Sequence, residues 1–483
     1  MFFRETQTTM QSISRILIGI VLIASVSSNS SCAEEKRILK VVEKATVFDV
    51  KSLKPIGKLE EGDEVEVVKS FQDKDKEQWL EVISTRKESV RGYLRAKKCA
   101  PLTESVTASV GNEVEPRQIM LPQNPAGVTD LGFRILRSAP KDQVNPAVCP
   151  YGIWSNTRFW LRAAKGETLA RLEKQLGLQL EKDDGPRIPS NPSFRSADRL
   201  LRSREIEIKP SYLNTASQWN LSILESKFDE PARVEVNSWI EKWSMDRIRE
   251  FFTKDQWNPD AKLIFVNVAC LDAEWVSKFD KASTQAGTFN TKPGETVTAE
   301  MMIQQSTLRW FSSEKLDAMG VVLPYRANDL AAIIFVPNKI DGIAGLMEHV
   351  DSNAVDDALT NAKNEEVVLL LPRVELEGSL NLFEQLDLSS VLPAEPDFSE
   401  MTDAETTISD FQQRIHLTVD EDGTRAAAAT SSTIVASAVG EKEPKIVQAD
   451  RPFLLLVVHE PSHTLLFATQ INQPVAPPKD AAK

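Results

Sequence analysis

The chain has 483 residues, with 57 Lys and Arg against 70 Asp and Glu and a formal net charge of −13. That length allows one large domain plus something extra, and a hydrophobic content of 41% is enough for a sizeable core, which excludes a disordered scaffold. The acidic balance excludes nucleic acid and other polyanions as bulk electrostatic partners, and no fixed-period repeat runs along the chain.

Residues 16–26 read ILIGIVLIASV, preceded by Arg4 and Arg15 and followed by small polar residues. The run is too short to span a bilayer comfortably and has the flanks of a secretory signal, so residues 1–33 are expected to be a cleaved leader. A lipid anchor on Cys32 is the weaker expectation, because Asn29 stands where such signals prefer an aliphatic residue. Either route places the protein outside the cytoplasm, secreted or in the periplasm and cell envelope. Residues 38–102 alternate with period two at Val65 and Val67 and again around Trp79, Leu80 and Val82, with turn signals at Gly57, Gly62 and Gly92. This order resembles bacterial SH3-like barrels, and the resemblance implies a small all-β module that binds a cell-wall or protein ligand; a plain spacer barrel reads equally well. Residues 103–124, rich in Thr, Glu, Val, Ser, Asn and Pro, read as a linker.

From residue 125 helix-period segments come first and long strands follow. Leu169, Leu172 and Leu176 give one helix an apolar stripe, and Trp239, Ile240, Trp243, Ile248 and Phe251 mark another. Strands are expected at 263–271, 331–337 and 367–372, then at 453–458 and 464–471, the last two joined by a turn through Pro461. This segregation predicts an α+β domain. Of the four Cys, Cys32 lies in the leader, and the remaining Cys99, Cys149 and Cys270 form no disulfide framework or C-x-x-C pattern. The four His (His349, His416, His459, His463) stand in no metal-ligand spacing, and no G-x-S-x-G elbow occurs, so neither an enzyme nor a bound metal or cofactor is expected.

Residues 421–440 are small and bland: EDGTRAAAATSSTIVASAVG. A linker or an Ala-rich helix suits that composition. On a strand, however, Thr424, Ala426, Ala428, Thr430, Ser432, Ile434 and Ala436 share one face with only small or apolar side chains, while Arg425 takes the other. Such a segment can enter a sheet as a new strand without steric penalty, with Gly423 as its hinge.

The run Glu421, Asp422, Gly423, Thr424, Arg425, Ala426, Ala427, Ala428, Ala429, Thr430 resembles the inhibitory hinge of serpins almost residue for residue. Ala164–Thr168, Asn237–Ile240, Asn267, Trp275, Phe279, Leu323–Tyr325, Phe335–Pro337, Leu371–Arg373, Ala449–Leu456 and Leu466–Phe467 follow in the family's order, over about residues 125–476, with 477–483 as a tail. The resemblance implies a serpin fold of large mixed sheets and helices. It also implies a reactive-centre loop at about 421–446 that baits a serine protease, is cleaved, and inserts as an extra strand; such insertion is a known instance of stored strain released by strand addition. Counting as the family does puts the scissile bond between Ser437 and Ala438, or nearby within Ile434–Val439, which suits elastase-like or subtilisin-like pockets; Lys442 is the nearest basic alternative. The partner implied is that protease, held covalently by a monomer. Asn145, Cys149, Asn267 and Gln413 fall where the family's sheet opens. Cys149 and Gly152 stand where two Ser are usual, and Gln413 where a His is common. The segment Gly185–Pro192 replaces a helix that often carries glycosaminoglycan sites, so that binding is not expected. A non-inhibitory serpin, acting as a carrier or chaperone-like binder, is the alternative, although such members often lose the small-residue hinge retained at Ala426–Ala429.

Overall fold

The structure is a computed structural model that describes residues 118–140, 143–180, 187–189, 193–327, 329–424 and 443–474 and, before them, the backbone of seven strands between residues 37 and 101. The leader, residues 425–442 and the tail lie outside the described residues. Two units divide the chain at Thr107 and Ala108.

The first unit holds β1 (Arg37–Val41), β2 (Ala45–Phe48), β3 (Pro55–Leu59), β4 (Glu64–Gln72), β5 (Gln78–Ser84), β6 (Arg91–Arg95) and β7 (Cys99–Pro101). They form one sheet in the order β3-β2-β6-β5-β4-β1-β7, every described pair antiparallel.

The second unit begins earlier than the sequence suggests. β8 (Gln118–Met120) lies inside the stretch read as linker and pairs antiparallel with β10 (Arg187–Pro189). Ile119, Met120 and Leu121 are buried, so apolar content sets the boundary where composition suggested a spacer. Helices α1 (Pro125–Arg137), α2 (Pro150–Ala163) and α3 (Gly166–Leu176) follow, with β9 (Ala147–Val148) between the first two. Pro stands at the first turn of α1 and α2, where its missing N–H costs nothing. Leu172 and Leu176 of α3 are buried as the stripe requires.

β11 (Phe194–Ser203) lies between β12 (Leu221–Ser226), parallel to it, and β13 (Leu263–Leu271), antiparallel to it, with α4 (Pro210–Gln218) between β11 and β12 in the chain. Helix α5 (Glu230–Trp243) starts on Asp229, whose carboxylate accepts from Ala232 N at 3.1 Å. It stops at Trp243, because Met245 and Asp246 take left-handed φ of 55° and 62°. Ile248 and Phe251, expected on the same helical stripe, therefore lie in the irregular segment beyond it. Trp239, Ile240 and Trp243 pack on Val266 and Val268, so α5 covers one face of β13, while Leu271 of the same strand belongs to the main core on the other.

The largest sheet contains β15 (Gln285–Lys292), β16 (Glu295–Ser313), β17 (Ala318–Pro324), β18 (Leu330–Pro337), β19 (Lys363–Pro372), β23 (Lys445–Gln448), β24 (Phe453–His459) and β25 (Thr464–Ile471). Its order is β23-β19-β16-β17-β18-β24-β25-β9, with β15 on β16. Every residue of β18 and β24 is buried, which accounts for their unbroken apolar sequences. Helices α6 (Ile343–His349), α7 (Ser352–Asn361), α8 (Leu382–Gln385) and α9 (Leu388–Val391) complete the unit. A four-stranded sheet has the order β14-β22-β21-β20, from β14 (Ala273–Glu274), β22 (Gly423–Thr424), β21 (Gln412–Val419) and β20 (Val374–Asn381). Only Asp272 separates β13 from β14.

Candidate functional site

Among the described residues β13 pairs only with β11, and β21 only with β20 and β22. β13 and β21 nevertheless face each other across a cleft of about 460 Å³, walled by Leu263–Ala269 on one side and Thr406–Ile415 on the other. A slot with strand edges on both sides is a site for one more strand.

The floor of the slot is α2. Cys149, Gly152, Asn156, Trp160 and Ala163 recur at helical spacing and all line the cleft. Cys149 caps the helix, its Sγ accepting from Gly152 N at 3.3 Å. Burial, partly offset by that hydrogen bond, pushes its thiol up to about 12, so Cys149 acts as a small apolar residue and not as a nucleophile. Gly152 is required by a close approach: a Cβ there would lie 2.6 Å from Asn267 Oδ1. Gln413 Oε1 accepts from Cys149 N at 2.8 Å, and its Nε2 donates to Cys149 O at 3.0 Å. Asn267 Nδ2 instead donates to Asp198 Oδ1 at 2.9 Å and Ser196 Oγ at 3.2 Å on β11. Asp198 also takes Ser155 Oγ at 2.7 Å and Arg158 Nη2 at 3.2 Å, a buried pair whose lone pairs are answered by hydrogen bonds. Cys149, Asn267 and Gln413, expected together, are together. Asn145 is not with them: its carboxamide bonds Asn472 N at 2.8 Å and Gln473 O at 2.7 Å, beyond the end of β25.

The head of the slot is occupied by β22. Thr424 lies opposite Ala273 and Val419, and Gly423 opposite Glu274, antiparallel to both walls. A Cβ on Gly423 would lie 2.0 Å from Ala273 O, so only glycine admits the chain here. Thr424 is fully buried and its Oγ1 lies 2.7 Å from the Tyr325 hydroxyl; the Tyr325 ring stacks on Trp275 at 4.4 Å. Burial raises the Tyr325 hydroxyl further above its ordinary value, so it stays protonated.

Two acidic side chains hold the entry to β22. Glu421, 2% exposed, meets Arg373 at 2.6 Å and accepts from Thr284 Oγ1, while Arg373 also reaches Glu300. Asp422 pairs with Lys281 at 2.7 Å and Lys278 at 3.1 Å. Burial alone would push the Asp422 carboxyl up, but its bonds to Lys281 and Lys278 outweigh this and hold it below the usual carboxylate range. Trp275 Nε1 donates to Asp420 O at 2.9 Å. Of the hinge run, Glu421, Asp422, Gly423 and Thr424 are seen here; Ala426, Ala427, Ala428, Ala429, Thr430, Ser437 and Ala438 lie outside the described residues.

The outer face of the slot carries a strap that the sequence did not reveal. Arg414 of β21 donates from Nη1 to Glu250 O at 2.6 Å and from Nη2 to Gln256 Oε1 at 3.0 Å. Gln256 Nε2 in turn donates to Gln412 Oε1 at 3.2 Å. These bonds tie β21 to the segment that leads from α5 into β13. No group of three or more His, Cys, Asp or Glu able to hold a metal ion occurs among the described residues, and none of their helices is long and apolar enough to cross a membrane.

Residues 126–474 match the sequence profile of the family described as Serpin (serine protease inhibitor). An uncharacterized serpin-like protein of Thermococcus kodakarensis is 28% identical over 374 residues, covering 72% of this chain and 85% of its own. The leukocyte elastase inhibitor of Bos taurus is 27% identical over 357 residues, covering 68% and 94%. The native crystal structure of the thermophilic serpin tengpin has the same fold, with a TM-score of 0.64 at 21% identity over 76% of this chain and 96% of tengpin. The strand slot headed by β22 thus sits in a chain that belongs to the serpin family.

Proposed function

We propose that the chain inhibits a serine protease outside the cytoplasm by suicide-substrate loop insertion. One observation carries the reading: β22 has already entered the head of a slot whose two walls have no ladder to each other. Continuing its register thirteen residues past Thr424 would bring Ser437 level with Asp260, next to Ala261 of the cleft lining, and with Thr406 at the far end of that lining. A cleft of that length supports insertion of the chain towards the bond expected to be cut.

The chemistry belongs to the protease. Its serine oxygen attacks the Ser437 carbonyl, an ester forms there as the Ser437–Ala438 bond breaks, and the serine proton leaves on the new Ala438 amine. Ile434, Val435, Ala436, Ser437, Ala438 and Val439 are all small or aliphatic, which fits elastase-like or subtilisin-like pockets. The freed segment then fills the slot, and its Thr424, Ala426 and Ala428 side chains are small enough to face the core between β13 and β21.

Incubation with a panel of serine proteases, read by intact mass, tests this. The expected product is an SDS-stable adduct of protease plus the chain ending at Ser437. Cleavage without any adduct, or cutting only after Lys442, overturns the assignment. We further infer that residues 1–33 direct export and that the first unit is an SH3-like module for a cell-wall or protein ligand, supported by its seven short antiparallel strands. Deleting residues 34–102 should then abolish co-sedimentation with isolated cell walls and leave adduct formation unchanged.

A further inference from the structure

Six aromatic rings line the cleft between β13 and β21: Trp160, Phe251, Phe252, Phe265, Phe398 and Phe411. They come from α2, from the segment before β13, from β13 itself and from the stretch before β21, so the apolar lining is built on several sides. The volume of about 460 Å³ is that of a small-molecule site, mostly apolar with a few placed polar groups. Flat rings suit such a lining, since they stack or meet edge to face as Trp160 and Phe411 do at 4.5 Å.

The polar atoms of the lining narrow the chemistry. Asn156 is 4% exposed, and its Oδ1 has no hydrogen-bond partner among the described residues; nor has Thr406 Oγ1. A buried acceptor left unmade costs more than a bonded one returns, so these oxygens call for a donor. Arg414 Nε is the orphan donor among them, on a guanidinium whose other nitrogens already bond Glu250 O and Gln256 Oε1. The charged residues of the lining are Asp255, Asp410 and that same Arg414. Both carboxylates are exposed, and neither pairs with a cation among the described residues. Gln412 Nε2 lies 3.2 Å from each Asp410 oxygen, a bond that leaves the charge in place. The cleft therefore opens to solvent past two anions. A peptide backbone, with its alternating neutral donors and acceptors, does not answer them.

We propose that this cleft binds a small aromatic amine: the flat ring lies among the six aromatic side chains, an N–H or hydroxyl on it bonds Asn156, and the ammonium group meets Asp255 and Asp410. A bound amine also keeps the slot from taking another strand. That second role rests on the loop-insertion reading above; the binding site does not.

Tryptamine is the probe, titrated into the full intact chain by calorimetry, with indole-3-propionate as an anion built on the same ring. Tryptamine should bind about tenfold more tightly than the propionate. Replacing both carboxylates, Asp255→Asn with Asp410→Asn, should erase that preference, and Asn156→Leu should weaken tryptamine about fivefold. The two Asp lie on the exposed rim, so their double variant carries the test even if Asn156→Leu folds poorly. No saturable tryptamine binding at millimolar concentration, equal affinity for the two probes, or a preference that survives the double variant overturns the site. Saturating tryptamine should also slow adduct formation by wild type and not by the double variant; an unchanged rate overturns the blocking role alone. Nicking the loop with subtilisin separates the two readings. A rise in melting temperature means that the slot has filled, and tryptamine binding should then be lost; binding that persists places the amine elsewhere and overturns the proposal. No rise on nicking overturns insertion, and the site then stands or falls on the titrations of the intact chain.

Discussion

Gln413 holds both backbone polar groups of Cys149 in one two-point contact, accepting from its N–H at 2.8 Å and donating to its C=O at 3.0 Å. The contact ties β21 down to the helix below it and not across to β13. Asn267, on the opposite wall, is likewise tied to its own neighbour β11. Neither of these two side chains has to release the other for the walls to accept a strand. The amide also does this without a titrating group, unlike the His common at this place in the family.

Gln413→Ala should therefore leave two buried backbone groups unanswered and lower the stability of the intact protein by about 1–3 kcal/mol, read by urea unfolding. Gln413→Glu tests the two-point geometry, because an ionised carboxylate has no proton to give Cys149 O. It should be destabilised at neutral pH and partly recover in acid. Wild-type stability in both variants would mean that the contact contributes nothing.

Arg414 acts on the outer face. Its bonds to Glu250 and Gln256 hold the segment before β13 against β21, at the level a new strand must pass. Arg414→Ala removes two hydrogen bonds worth about 1–2 kcal/mol together, enough to speed insertion about tenfold if the strap lifts before the strand passes. Faster insertion shifts the partition from released substrate towards trapped adduct, so fewer inhibitor molecules are consumed per protease inactivated. An unchanged partition would show that the strap is not lifted on the way.

Thr424 offers a sharper test of the slot. It is fully buried, its hydroxyl meets that of Tyr325, and the Tyr325 ring stacks on Trp275. Thr424→Arg would bury an unpaired guanidinium, at a cost of several kcal/mol, so the segment should stay out of the sheet. The variant should be cut as a substrate and form no adduct. Undiminished adduct formation would mean that Thr424 does not enter the core.

Much of this was legible in the chain. The apolar runs at 263–271, 453–458 and 464–471 gave their strands because apolar sequence reports burial directly. Of the hinge, expected from its small residues on one face, only Glu421–Thr424 are among the described residues. Arg414 and the Glu421–Arg373 pair were not legible, since each depends on a partner distant in sequence and on a face the pattern cannot assign. α5 was drawn too long for a similar reason: apolar residues kept helical spacing past the left-handed turn at Met245 and Asp246, and spacing does not record φ.

Asp422 makes the entry to β22 sensitive to acid. Burial raises its carboxyl, but hydrogen bonds and charge from Lys281 and Lys278 prevail, and the folded value lies below the ordinary one near 3.9. A depressed carboxylate contributes stability that is fully present above the unfolded value and is lost as pH falls through the folded one. The advantage of wild type over Asp422→Asn should therefore be constant from pH 7 to about pH 5 and shrink below about pH 4, measured as the difference in urea midpoints. Glu421 sits beside it on Arg373, so Arg373→Ala, which leaves that buried carboxylate without its cation, should lower stability at neutral pH. A wild-type advantage that persists undiminished in acid would show that Lys278 and Lys281 find other partners, and that Asp422 does not fasten the hinge.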